Sequence, residues 1–136
     1  MSMEKTVSWY RLRLRERMRR VTHGEYHGPS DIPKIAIHSM HEVLCLIVEA
    51  ACLAQSIGNI LAGRQEMENI PEEWLIQYLP EVIEKTIHFE DDYEYRRLLE
   101  LLEASSHKLL EAYINRGLLS DNSDIRETAG NFLQHT

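Results

Sequence analysis

The chain has 136 residues, a formal net charge of -7, and 43% hydrophobic against 27% charged residues. That length suits one domain with a sizeable core, and that composition excludes wholesale disorder. Its 6 glycines and 4 prolines are too few for an all-β chain, which turns about every 8–12 residues. The expectation is an all-α, single-domain bundle of about five to six helices over residues 1–136. Glu42 and Glu49 interrupt the most apolar stretch, so no run reaches the roughly 18 residues of a membrane span. The arginine-rich start is not followed by the apolar core of a secretory signal. Cys45 and Cys52 fall seven apart in a helical pattern, about 10 Å along one face, too far to bridge each other. Reduced thiols in a cytoplasmic protein follow from this reading.

The first element is a helix over about Lys5 to Val21, with Val7, Tyr10, Leu14 and Val21 near heptad spacing and Met18 close by. Within it, RLRLRERMRR places six arginines in ten positions. Residues 1–22 carry +5, which leaves -12 on the rest of the chain. A basic N-terminal helix (1–22), a loop (23–32) and an acidic helical body (33–136) are therefore distinguished. Helical spacing puts Arg13, Arg17 and Arg20 on one side and Arg11, Arg15 and Arg19 on another. Nucleic-acid binding would want such a cluster clear of negative charge, with a second basic element or a stacking platform. Neither is present, whereas guanidinium pairs well with carboxylate. The helix is expected to pack on the acidic body, or on a second copy in a homodimer, rather than on nucleic acid.

THGEYHGPSDIP, residues 22–33, reads as a loop. His23 and His27 sit there with Glu25 and Tyr26, and with His38 and His41 they make four histidines in 19 positions. Metal binding or pH sensing is conceivable for such a set, but exposed loop histidines commonly have no role. Ser30 or Asp31 then caps a helix with Pro33 in its first turn. That helix is expected to run from about 33 to 62, with VLCLIVEAACLA at its centre, and to end at Gly63 as the C′ residue. It is the expected buried spine. One stripe along it carries His38, Glu42, Cys45, Glu49, Cys52, Ser56 and Asn59, with His41 beside the first. Imidazole, carboxylate and thiol on one face could ligate a transition metal. HExxH and ExxH are both missing, so the stripe is read as a helix edge, with no metal and no cofactor.

Pro71 opens the next helix, IPEEWLIQYL, where Glu72 and Glu73 complement the dipole; Pro80 should kink it or start another through Ile87. A long helix begins at FEDDYEYRR and continues to Gly117 with Tyr95, Leu98, Leu102, Leu109 and Tyr113 inward. Asp91 or Asp92 can cap it, Glu94 fits a capping box, and Asp92 with Arg96 forms an i, i+4 pair. A last helix, about Ser123 to Gln134, presents Ile125, Ala129 and Phe132. Its fragment SDNSDIRETAGNFL resembles the second helix of a HEAT-type repeat, which implies a HEAT-like C-terminal end.

No GxSxG, phosphate loop or cysteine in a catalytic context occurs. Ser105 and Ser106 beside His107 are helix neighbours that point apart. A non-catalytic protein is the expectation. Two segments mix carboxylates with aromatics: Glu90, Asp91, Asp92, Tyr93 and Glu94, and Glu72, Glu73 and Trp74. Aromatic anchors supply binding energy and charge steers encounter, so both segments are candidate sites for a basic protein partner. The expected function is a protein–protein interaction module with an acidic surface, of which an immunity- or antitoxin-type inhibitor of a basic toxin is one concrete form. The alternatives are a nucleic-acid-associated regulator using Arg11 to Arg20, and a metal-dependent enzyme using His38, His41, Glu42, Cys45 and Glu49.

Overall fold

A computed structural model describes residues 3–135, and no strand occurs among them. The α-helices are α1 (Met3–Val21), α2 (Ile37–Val48), α3 (Ile57–Glu68) and α4 (Glu72–Thr86), followed by α5 (Asp92–Ser105), α6 (His107–Leu118) and α7 (Ser123–His135). A 3-10 turn covers Pro29–Lys34 and a π-helical turn covers Glu49–Leu53. The all-helical reading holds, with more and shorter helices than the sequence suggests.

The expected 33–62 helix is divided. Pro33 lies in the 3-10 turn, and α2 starts at Ile37 after Ala36, without a side-chain cap. The Asp31 carboxylate faces back into the loop and accepts from the His27 backbone N–H at 2.7 Å. At the other end the π-helical turn closes with Ala54 N–H donating to Glu49 O at 3.1 Å, and Ala54 itself is extended. The chain then restarts as α3 and folds back on α2 and the π-helical turn. Gly63 is consequently not a C′ residue. It sits inside α3, where a Cβ would lie 2.8 Å from Ala51 N and 3.0 Å from Ile47 O. Only a residue without a side chain permits that approach.

The second expected long helix is also broken. Ser106 is extended, receives the end of α5 through its N–H to Leu102 O, and caps α6 by accepting from Leu109 N–H at 3.3 Å. Tyr95, Leu98, Leu102, Leu109 and Tyr113 nonetheless all point inward, because α6 packs on α5. Pro80 stays within a continuous α4.

One hydrophobic cluster runs from Leu14 and Met18 on α1 to Ile125 and Ala129 on α7. In it α1 rests on α2 and α3, α4 covers α2, and α5 lies against the π-helical turn, α3, α6 and α7. Among the described residues no helix is long and apolar enough to cross a membrane.

Three buried phenols tie this core to pH. Burial pushes Tyr26, Tyr95 and Tyr113 above the ordinary tyrosine range, Tyr95 to about 12. A raised folded-state pKa means stability is complete below the unfolded value of about 10 and is lost as pH climbs beyond it. We expect unfolding free energy to fall above pH 10, by up to about 1.4 kcal/mol per pH unit for each tyrosine. Thermal denaturation between pH 8 and 12 checks this, and a melting temperature unchanged at pH 12 would contradict it.

Candidate functional site

The arginine helix divides as its spacing predicts. On the inner side, Arg11 Nε donates to Glu66 at 2.6 Å and Arg15 Nε donates to both Glu66 oxygens at 3.0 and 3.1 Å. The Tyr26 hydroxyl donates to the same carboxylate at 2.5 Å, and Arg19 Nε reaches Tyr26 O at 3.4 Å. Glu66 is completely buried, as is Tyr26, which the sequence leaves in an open loop. First-helix arginines thus meet a carboxylate of their own chain. Glu66 escaped sequence reading because it lies beyond Gly63, where the helix was expected to end. Its spacing from Ile60, Gly63 and Met67 marks the inner face of α3 and was the available signal.

On the outer side, Arg13, Arg17 and Arg20 meet no carboxylate among the described residues. Arg13 lies over the Trp9 ring, 4.9 Å from its centroid. Trp9 is 50% exposed. Between this side of α1 and the π-helical turn runs a groove of about 640 Å³, walled by Trp9, Tyr10, Arg13 and Arg17 against Glu49, Leu53 and Asn59.

The expected polar stripe comes apart at the π-helical turn. The extra residue rotates Cys52 into the core, where burial pushes its thiol up to about 12. Cys45 remains half-buried and donates to Glu49 Oε1 at 3.1 Å. Burial raises its pKa, and Glu49 reinforces the shift, so this thiol is held protonated. His38, His41, Glu42 and Cys45 share a pocket of about 230 Å³ with Glu81. There His38 Nε2 lies 3.3 Å from Glu42, and His41 Nε2 lies 3.8 Å from Glu81. Among the described residues no three His, Cys, Asp or Glu side chains are placed to hold a metal ion.

The acidic segment at the start of α5 is largely engaged within the fold. Asp91 caps α5 by accepting from Glu94 N–H at 3.0 Å. Glu94 does not close the capping box; its carboxylate accepts from His88 N–H and faces His88 Nδ1, both at 3.0 Å. Asp92 accepts from Arg96 at 3.1 Å and from the Thr128 hydroxyl at 2.5 Å. The Tyr93 hydroxyl donates to Ala54 O at 2.7 Å, with Arg97 over its ring, so Tyr93 braces α5 against the π-helical turn. Glu90 and Asp91 remain on the surface.

Tertiary structure sets Asp121, Asp124 and Glu127, which the sequence reading missed, beside acids that it named. Asp92 lines one polar groove with Asp124, Glu127 and Arg96. Glu90 and Asp121 line a larger one of about 580 Å³ beside Phe89, Leu119 and Ile125. Leu119 is 85% exposed. The nearest cation, Arg116, is neutralised by Glu84 and lies 3.6 Å from the Phe89 ring centroid. Glu72, Glu73 and Trp74 belong elsewhere. They start α4, and its length of about 22 Å separates them from the start of α5. Trp74 is half-buried and stacks on Tyr78 at 5.4 Å.

Compared with models of protein families, with curated proteins and with solved structures, the chain matches none.

Proposed function

We propose that the protein is a non-catalytic protein–protein interaction module whose acidic end binds a basic partner. Inhibition of a basic toxin in the cytoplasm, in the manner of an immunity or antitoxin protein, is its most concrete form. The observation that carries this reading is the groove rimmed by Glu90 and Asp121, with Leu119 exposed beside it. An exposed leucine gains by leaving water, and uncompensated carboxylates around it would steer a cationic surface into register. Both cysteines are held as thiols by burial, which fits a binding role better than nucleophilic catalysis.

The test begins with affinity capture from the native host and continues as binding kinetics on the captured basic protein. Glu90→Gln with Asp121→Asn should slow association about tenfold at low salt and much less at high salt. Leu119→Ala should instead speed dissociation. All three residues are at the surface or close to it, so the fold should persist; Asp91, as a cap, is left intact. Binding that ignores both variants would refute the assignment of this end.

A further inference from the structure

We infer that the groove between α1 and the π-helical turn is a second binding site, and that it takes an extended acidic peptide segment of a protein partner. It shares no residue with the Glu90–Asp121 groove and stands independently of that reading.

Three observations converge on it. Arg11 and Arg15 share the single Glu66 carboxylate, so α1 keeps an excess of positive charge. On the outer side Arg13, Arg17 and Arg20 lie in line with Trp9 without a carboxylate partner among the described residues. Trp9 exposes half its surface at the groove wall, an apolar area that a soluble surface gains by covering. The opposite wall is built from the π-helical turn, an irregularity frequent at functional positions, which presents Glu49 and apolar Leu53, and from the start of α3, which adds the Asn59 amide.

The shape favours a linear ligand. From Trp9 to Arg20 the stripe extends about 16 Å along the helix, the span of about five extended residues. The charge pattern selects the polymer. Glu49 stands in the groove and exposed Glu16 interrupts the arginines. A nucleic-acid strand brings a phosphate at every step and would set some of them against those carboxylates. A peptide can place its carboxylates only where Arg13 and Arg17 receive them, in bidentate pairs. Its neutral backbone N–H groups can then donate to Glu49 and to the Asn59 amide oxygen, while an apolar side chain covers Leu53 and Trp9.

The experiment uses the full chain and a fluorescein-labelled peptide of about six residues in which glutamate alternates with leucine. Its glutamine analogue and a labelled oligothymidylate of similar length are the comparison probes. Anisotropy reads binding, and quenching of Trp9 emission in a Trp74→Phe background reads its place. The acidic peptide should bind with an affinity that falls as salt rises, at least tenfold more tightly than the glutamine analogue. Arg13→Ala with Arg17→Ala should remove that preference with the melting temperature unchanged, since neither guanidinium holds a carboxylate of the fold. Asp121→Asn with Leu119→Ala should leave it intact, which separates this site from the acidic end. Tighter binding of oligothymidylate, equal binding of the glutamine analogue, or no binding of the acidic peptide at millimolar concentration would each overturn the inference.

Discussion

Glu66→Ala should destabilise the protein by about 3–5 kcal/mol, the cost of removing one partner from a buried ionic network. In a chain of this length that is a drop in melting temperature on the order of 10 °C or more. The carboxylate is completely buried and receives Arg11, Arg15 and the Tyr26 hydroxyl. Without it, two guanidinium groups stand side by side on one face of α1 with no counter-charge, and a buried phenol loses its acceptor. Both arginine side chains are 26% exposed, so water recovers part of the loss and the lower half of the range is the better expectation. Glu66→Gln keeps acceptor and shape but removes the charge, and should cost less than alanine. Urea denaturation of the three proteins measures the series. Alanine and glutamine variants within 1 kcal/mol of the parent would show that the network contributes little beyond packing.

Gly63→Ala should cost about 1–3 kcal/mol, the usual range for overpacking a filled core. An alanine would ordinarily stabilise a helix interior by roughly 1 kcal/mol over glycine. At Gly63 the added Cβ meets Ala51 N at 2.8 Å and Ile47 O at 3.0 Å, backbone atoms that cannot swing aside. Accommodating it means moving α3 away from α2 and the π-helical turn. Gly130 on α7 is the control, because a Cβ there meets nothing within 4 Å. Gly130→Ala should therefore raise the melting temperature while Gly63→Ala lowers it. Two shifts of the same sign would remove the close approach as the reason for glycine at 63.

The sequence by itself determined which faces turn inward. Period 3.6 in the apolar residues placed Tyr95, Leu98, Leu102, Leu109 and Tyr113 in the core, and the structure buries all five. The same geometry divided the arginines, and Arg11 and Arg15 find Glu66 while Arg13 and Arg17 face the open groove. A cap at Asp91 was legible because its signal is local, an aspartate followed three residues later by an N–H to receive.

Only the tertiary structure decided where the rods end and what meets across them. The chain turns at Ala54 and at Ser106 without a proline or glycine at either position. Periodicity reports a face, and it continues undisturbed when both halves of a broken helix keep that face apolar. The π-helical turn then shifts phase by one residue, which is why Cys52 leaves the stripe that Cys45 and Glu49 share. Glu66 pairs with Arg11, and Glu90 comes to line one groove with Asp121, over long stretches of chain. Such partners are chosen by how helices pack, an arrangement set by the whole core and carried by no local stretch of sequence.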